Sequence, residues 1–194
     1  MQDIEENYAS INQARHRYFG EQRLVRLPAS TCVGGKPVGV ASPVVMDVYA
    51  VSDHPDVGVE AVGPGTMGEA SSYGSAFARA ATLREPGRRW LWISGTASID
   101  VQGNVVSSGD VHGQLGCMFG HVGSLLAQEG MGMQDVLAAT AYLKRADYLG
   151  KFRDAAAAAG LVSTIPCGVV VADICRPQWL CEIELCAARK DGPG

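Results

Sequence analysis

The sequence predicts an α+β fold in which a mixed β-sheet carries two helices on one face. From Trp90 onward, the predicted elements follow the order strand, helix, strand, helix, strand, strand, an arrangement typical of α+β layers. The chain has 194 residues, of which 47% are apolar, so it can fill one core. Its glycine content is high, but Gly and Pro together stay below the proportion typical of low-complexity sequence.

The first part of the chain is predicted to be an N-terminal arm and a β-rich extension. Residues 1–20 are polar and form the arm or a short helix. Within the extension, residues 21–88, a strand is expected at 24–27 and a strand or one limb of a hairpin at 38–51, because these stretches are rich in β-branched and other apolar residues. Residues 63–74, with their many Gly and Ser, are predicted to be an active-site loop.

Residues 89–190 are predicted to be the main domain. Asp110 and Asp147 are each expected to begin a helix, since an aspartate can accept hydrogen bonds from the N–H groups of the first turn. The expected elements are strand 90–94, helix 110–128, strand 136–143, helix 147–159, strand 169–174 and strand 179–187.

Alternation along the last strand places Glu182 and Glu184 on one face of the sheet. The other face, with Cys181, Ile183 and Leu185, can pack under the helices. The face with the two carboxylates needs a cover, and a second copy of the chain is the simplest one. We therefore expect a homo-oligomer.

Charge and cysteine pattern exclude several classes of protein. The formal net charge of −4 offers no attraction for a phosphate backbone, so no nucleic-acid partner is expected. We expect no membrane span, because no apolar run is long enough, and no signal peptide. The six cysteines include no C-x-x-C pair, and the four histidines share no spacing, so no metal site is expected. The prediction is a cytoplasmic protein with reduced thiols.

Several stretches resemble the RidA (YjgF-type) superfamily, and within it the C-terminal part of chorismatases. The superfamily resemblance rests on 91–99 (LWISGTASI), Gly109-Asp110 with Gln114, the strand from 136, and Glu182-Ile-Glu184. The chorismatase resemblance rests on Tyr73-Gly74 leading to Phe-Ala-Arg79-Ala, on 93–99, and on Ala172-Asp-Ile-Cys175-Arg176 before Glu182. It covers most of residues 20–188 and implies a RidA-like sheet, trimers with ligand sites between subunits, and cleavage of chorismate to pyruvate and a cyclic product.

Two stretches depart from the patterns of these relatives. Chorismatases carry an Asn-Pro-Arg-Gln stretch where residues 60–65 read Glu-Ala-Val-Gly-Pro-Gly. They also carry a further N-terminal domain, for which we expect no counterpart in these 194 residues. RidA deaminases carry an arginine after the proline that matches Pro166, where this chain has Cys167-Gly168. A guanidinium that could clamp a carboxylate is therefore missing at both places.

The resemblance implies that Glu182 is the general acid. Protonating the methylene carbon of an enol ether near neutral pH requires a carboxylic acid with a raised pKa, which burial or the neighbouring Glu184 could supply. Cys175 matches a position that takes part in forming hydroxybenzoate in some chorismatases. The alternative for Cys175 is a small buried apolar residue.

Four further residues are candidates for substrate binding. Arg79 could bind a carboxylate through two parallel hydrogen bonds. Tyr73 could donate to the same ligand or only anchor its loop, and Arg176 could bind a carboxylate or point to solvent. Gln114 lies on the first turn of its helix, where N–H groups could hold an anion.

The sequence therefore predicts a chorismatase-like enzyme of specialised metabolism. It would act on a small, carboxylate-bearing and cyclic metabolite by hydrolysis or elimination at an enol ether or similar unsaturated centre, without a metal or organic cofactor. Two alternatives stay open: a RidA-like imine or enamine deaminase or cyclase, and a metabolite-binding homologue without catalysis.

Overall fold

The computed structural model describes residues 1, 3–35, 44–52 and 54–191. Three α-helices and six strands make up most of its regular structure, together with three short 3₁₀ helices. The α-helices and strands are α1 (Ile4–Glu21), β1 (Gly58–Val62), β2 (Ala80–Glu85), β3 (Arg88–Ala97), α2 (Val111–Gln128), β4 (Val136–Leu143), α3 (Leu149–Ala158), β5 (Cys167–Val171) and β6 (Cys181–Lys190).

All six strands join one mixed sheet in the order β1-β2-β3-β6-β4-β5. Neighbouring strands are antiparallel except β4 and β5, which are parallel and connected through α3. The last strand, β6, lies in the middle, between β3 and β4. The predicted α+β class and the order of elements after Trp90 are confirmed.

Helices α2 and α3 cover one face of the sheet and form the main core with it. The Asp110 carboxylate accepts a hydrogen bond of 3.0 Å from the His112 N–H, so the predicted helix start is confirmed. The helix buries an apolar stripe against the residues of β6 that point to the same face. These core side chains include Leu115, Met118, Val122, Leu125, Cys181, Ile183, Leu185 and Ala187. Glu182 and Glu184 point to the opposite face, as the alternation predicts.

Three predicted elements differ from the structure. Residues 24–27 form no strand, and neither do residues 44–51; residues 38–43 lie outside the described part of the chain. Asp147 does not cap α3, because its carboxylate pairs with Arg145 at 2.9 Å and a short 3₁₀ turn over residues 146–148 precedes the helix. The sheet instead gains β1 and β2, whose bounds the sequence did not indicate.

The N-terminal arm is a helix of 18 residues held along the segment 74–76. Asn12 accepts a hydrogen bond of 3.0 Å from the Ala76 N–H, and the Tyr8 hydroxyl lies 3.1 Å from the Ser75 hydroxyl. The amino group of Met1 donates to the carbonyl of Val33 at 2.9 Å. The predicted boundary at residue 88 falls at the start of β3, within the continuous sheet. The division of the chain into residues 1–20, 21–88 and 89–190 stays a prediction.

None of the helices in the described ranges combines the length and the apolar character that a bilayer span needs. All six cysteines are free thiols.

Candidate active site

A cavity lies on the sheet face opposite α2 and α3, at the first residues of β6. The N-terminal segment (residues 1–35) covers it, and the loop before β2 and the segment before β6 complete its wall. Its lining residues are Tyr8, Arg15, Ser30, Cys32, Tyr73, Phe77, Arg79, Gly95, Ala97, Ile99, Cys175, Trp179 and Glu182. The structure therefore brings together four of the six predicted site residues: Glu182, Cys175, Arg79 and Tyr73.

Glu182 is the carboxyl group at the centre of this cavity. Its backbone lies between Ala97 of β3 and Tyr142 of β4 in the sheet register, and only 4% of the residue is exposed. Burial, with a smaller contribution from the charge of Glu184, raises the pKa of Glu182 to about 8, against the opposing effect of Arg79. Glu182 is therefore largely protonated at neutral pH.

Gly95 makes room for the Glu182 carboxyl group. The β3–β6 register shifts between Ile93 and Thr96, which is a local bulge, and Gly95 lies inside it. A Cβ atom at Gly95 would overlap Oε1 of Glu182 and lie 2.9 Å from Cγ2 of Thr31. The Gly95 N–H donates to the Thr31 hydroxyl at 2.9 Å, which ties the N-terminal segment to the strand.

Arg79 presents a buried guanidinium to the cavity. Nε and Nη2 donate to the carbonyl of Gly68 at 3.0 and 2.8 Å, which fixes the plane of the group. The Arg79 guanidinium carbon also lies 5.2 Å from the ring centre of Tyr73 and 5.4 Å from that of Phe77. Gly68 does not engage Nη1. This arrangement presents a preoriented cation next to Glu182.

Cys175 is held in the cavity as a neutral thiol. Burial is the largest cause of its strongly raised pKa, the negative charge of Glu182 adds to it, and a hydrogen bond with Tyr8 opposes it. Burial likewise raises the pKa of the Tyr8 hydroxyl. Both groups therefore stay protonated and can act as hydrogen-bond donors.

Sequence reasoning missed Tyr8, Arg15 and Cys32, which lie in the N-terminal segment. Burial lowers the pKa of Arg15, whose guanidinium has no carboxylate at ion-pair distance among the residues described. A signal was present: Ile4, Tyr8, Asn12 and Arg15 recur at helical spacing, which places them on one face of a helix. Because that face is largely polar, its contact with the cavity could not be predicted from an apolar stripe.

Two predicted site residues lie outside the cavity lining. Arg176 donates to the carbonyl of Gly103 at 2.6 Å and packs over the rings of Tyr73 and Trp179, at 4.7 and 5.0 Å from their centres. It supports two residues of the cavity wall and does not point to solvent.

The Gln114 amide is buried and engaged by the main chain. Its Nε2 donates to the carbonyls of Ser107 and Gln178, at 3.3 and 2.9 Å, and its Oε1 accepts from the Leu180 N–H at 2.8 Å. The side chain thus fixes the segment that leads into β6 and positions Glu182 two residues later.

The cavity is small in this conformation. About 20 Å³ is open to the centre of a water molecule, which is room for one ordered water. A larger ligand must displace part of the wall. Across the described ranges, no group of three or more His, Cys, Asp or Glu side chains is arranged to hold a metal ion.

The fold is similar to a group of solved structures. A chorismatase superposes with a TM-score of 0.75 at 23% identity, over 96% of this chain and 61% of that one. The chain thus spans about three fifths of the chorismatase. A putative endoribonuclease L-PSP from Entamoeba histolytica gives 0.57 at 18% identity, over 68% of this chain and 100% of its own. RidA from the Antarctic bacterium Psychrobacter gives 0.53 at 14%, over 66% and 98%.

No curated protein sequence matches the chain. The family model described as endoribonuclease L-PSP matches residues 77–189, which is more than half of the chain and includes strands β2–β5, both sheet-packed helices and β6 except its last residue. The chain therefore belongs to the endoribonuclease L-PSP (RidA/YjgF) family.

Proposed function

We propose that this protein is a chorismatase-like enzyme that cleaves an enol ether in a small carboxylate-bearing metabolite, with Glu182 as general acid. The observation that supports it best is a buried carboxyl group whose pKa is raised to about 8 at the centre of a cavity. A carboxylic acid that keeps its proton at neutral pH is what protonation of carbon requires.

The reaction follows from this one group. Glu182 transfers its proton to the methylene carbon of the enol ether, and the adjacent carbon becomes an oxocarbenium ion. A water molecule adds to that carbon and returns a proton to the Glu182 carboxylate. The resulting hemiketal breaks the bond between its central carbon and the ether oxygen that is attached to the ring. That oxygen leaves as the alcohol of the ring product, and the released three-carbon acid is pyruvate.

The charges of the cavity favour an anionic substrate. Arg15 and Arg79 contribute two positive charges, while Glu182, which is the only acidic residue among the described residues of the lining, is protonated at neutral pH. Guanidinium groups bind carboxylates through paired hydrogen bonds, and burial strengthens the attraction. Arg15 reaches the cavity from α1, so it supplies a guanidinium that residues 60–65 lack.

The test is incubation with chorismate, with pyruvate followed by a coupled dehydrogenase assay. We expect pyruvate release by the wild-type protein and none by Glu182→Gln, which keeps the shape of the side chain but has no acidic proton. The circular dichroism spectrum of the variant should match that of the wild type. Pyruvate release at an undiminished rate by Glu182→Gln would overturn the role of this residue.

Glu184→Gln is a matched control on the same face of β6. The Glu184 carboxylate accepts a hydrogen bond of 2.6 Å from the Tyr142 hydroxyl and raises the pKa of Glu182 by charge repulsion. We expect this variant to keep turnover but to lose activity at a lower pH than the wild type.

Family membership favours a second candidate, an imine or enamine deaminase. In that reaction Glu182 would pass a proton to the leaving nitrogen while water adds to the carbon. Cys167 at the start of β5 offers no guanidinium for the substrate carboxylate. Ammonia release from an amino-acid-derived imine, without pyruvate release from chorismate, would favour this candidate.

We also propose that the protein forms a homo-oligomer, and its resemblance to the RidA superfamily favours a trimer. We propose the cytoplasm as its location. A depression on the open face of the sheet, lined by Trp92, Thr140, Glu184 and Cys186 among others, offers a surface for a second copy. Light scattering should give a mass of three chains; the mass of one chain would contradict the proposal.

A further inference from the structure

Cys32 and Cys175 face each other across two chain segments that run antiparallel. Val33 and Ile174 form an isolated antiparallel bridge, and the Gly34 N–H donates to the carbonyl of Asp173 at 2.6 Å. One step along this register in the other direction, Cys32 lies opposite Cys175. Directly opposed residues of such a pair project their side chains to the same side.

Three observations show that the two thiols are close. Both line the same cavity. The charge of Cys32 acts on Cys175 and contributes to its raised pKa. The two backbones approach so closely that a Cβ atom at Gly34 would lie 2.7 Å from Cβ of Asp173. The Cα atoms of directly opposed residues in an antiparallel pair lie about 4.5–5.5 Å apart, within the range of roughly 4.4–6.8 Å that a disulfide spans.

We propose that Cys32 and Cys175 form a reversible disulfide that closes the cavity, which makes them a redox modification site. The inference concerns the cavity and does not depend on which reaction takes place there. The bond would join the N-terminal segment covalently to the segment before β6. Its two sulfur atoms would lie in the cavity that Glu182 also lines and that a ligand must enter.

The oxidant class is a peroxide, and the step is balanced. The Cys32 thiolate attacks one oxygen of hydrogen peroxide, which gives a sulfenic acid and hydroxide. The Cys175 thiol then attacks the sulfenic sulfur, the S–S bond forms and water leaves. The two thiols lose two electrons in total, and the peroxide accepts them. A dithiol reverses the reaction by thiol–disulfide exchange.

The surroundings assign the first step to Cys32. Burial raises the pKa of both thiols, and the charge of Glu182 adds to the rise at both. At Cys32 this contribution is the smallest, and the amino group of Met1 and the Arg15 guanidinium oppose the rise, whereas at Cys175 Glu182 is the second-largest cause. Cys32 therefore forms its thiolate at the lower pH of the two. Because both pKa values are raised, the reaction should be faster at mildly alkaline pH than at neutral pH.

The test counts free thiols after exposure to hydrogen peroxide at mildly alkaline pH. The protein is then denatured, alkylated with iodoacetamide and weighed by mass spectrometry. We expect four alkyl groups and the loss of two hydrogen atoms in place of the six alkyl groups of the untreated chain, and six again after treatment with dithiothreitol.

Variants assign the bond to the pair. Cys32→Ser and Cys175→Ser should each take up five alkyl groups before and after peroxide, whereas Cys167→Ser, on β5, should fall from five to three. Six alkyl groups on the peroxide-treated wild type, or a bond that persists in Cys32→Ser, would overturn the proposal. The midpoint of thermal unfolding should rise on oxidation of the wild type and stay unchanged in Cys32→Ser; an equal rise in both would also overturn it.

Discussion

The sheet with helices α2 and α3, called the sheet domain below, is built differently from the N-terminal segment (residues 1–35). In the sheet domain, side chains such as Leu91, Leu125 and Ile183 are completely buried, and β6 is hydrogen-bonded on both edges. The N-terminal segment is attached through individual hydrogen bonds and isolated bridges, and α1 buries only Ile4 and Asn12 fully. Segments with few buried apolar contacts open at a lower free energy than the global fold.

The stability of the fold and the access of a ligand to the cavity therefore depend on different parts of the molecule. The sheet domain holds Glu182, Arg79 and Trp179 in fixed positions, whereas the N-terminal segment contributes Tyr8, Arg15 and Cys32 to the same cavity. Since the cavity has room for one water, we expect the N-terminal segment to move when a larger ligand enters.

Of the variants that compare the two regions, Gly95→Ala is expected to have the largest effect, because it acts where the regions meet. The new Cβ would overlap Oε1 of Glu182 and press on Thr31, so the general acid leaves its position and the N-terminal segment loses its anchor. We expect the rate of pyruvate release to fall by about 10²–10⁴-fold, the range that general acid catalysis contributes.

Gly120→Ala on α2 is the matched control for this change, since nothing lies within 4 Å of its added Cβ. It should leave the rate unchanged and stabilise the helix by up to about 1 kcal/mol. A Gly95→Ala variant with the rate of Gly120→Ala would contradict the geometry of the site.

Leu125→Ala and Ile4→Ala compare the two regions directly. Both side chains are buried, at 0% and 1% exposure. We expect Leu125→Ala to lower the free energy of unfolding by about 3–5 kcal/mol, because it leaves a cavity in the main core. Ile4→Ala should lower it by much less, since α1 can detach while the sheet stays folded. Urea unfolding followed by circular dichroism measures both; equal losses would show that α1 unfolds together with the sheet.

Both the stability of the fold and the rate of turnover should depend on pH through Glu182. The folded chain binds the Glu182 proton more tightly than the unfolded chain does, because the pKa of Glu182 rises from 4.5 to about 8. The stability linked to this group is therefore complete at pH values below 4.5 and is lost as the pH rises through about 8. Turnover should fall over the same upper range, as the acid loses its proton.

Urea unfolding between pH 5 and 9, together with pyruvate release, measures both effects. Glu182→Gln should have the smaller decrease in stability over this range. An unchanged slope in that variant would show that another group titrates.

The smallest effect is expected from Asn12→Ala. This change leaves the buried Ala76 N–H without its acceptor, which costs about 1–3 kcal/mol locally. We expect faster hydrogen exchange at Ala76 with little change in global unfolding. The exposed neighbour Gln13→Ala serves as control and should have no effect on exchange. Equal exchange rates in the two variants would show that the hydrogen bond does not hold α1.

The sequence predicted the sheet domain well because its signals are local. The apolar stripe of α2, its Asp110 cap and the alternation along β6 are each set by neighbouring residues, and the structure has all three. The predicted cap at Asp147 was wrong because Arg145, two residues away, binds the Asp147 carboxylate in place of the N–H groups of the helix. Strands β1 and β2 were not predicted as such, since the pairing of β1 with β2 and of β2 with β3 is a tertiary property.

The candidate site could be predicted only in part. Glu182, Cys175, Arg79 and Tyr73 came from motif resemblance, and the structure places all four in one cavity. Arg15 and Cys32 could not be assigned, because the contacts of residues 1–35 with β3 and with the segment before β6 depend on long-range packing. Gln114 was predicted at a helix N-terminus, but its amide is directed at the main chain of residues 178 and 180, which no local pattern indicates.

The three tryptophans provide two independent optical reporters. Trp179 lies in the cavity wall, where its indole N–H donates to the carbonyl of Ser98 at 2.9 Å, so its emission responds to whatever enters beside Glu182. Trp90 and Trp92 stack on β3 with ring centres 5.8 Å apart, and Trp92 lines the depression on the open face. Fluorescence of the unlabelled protein can thus distinguish ligand entry from association of chains, once each group of tryptophans is replaced in turn by phenylalanine.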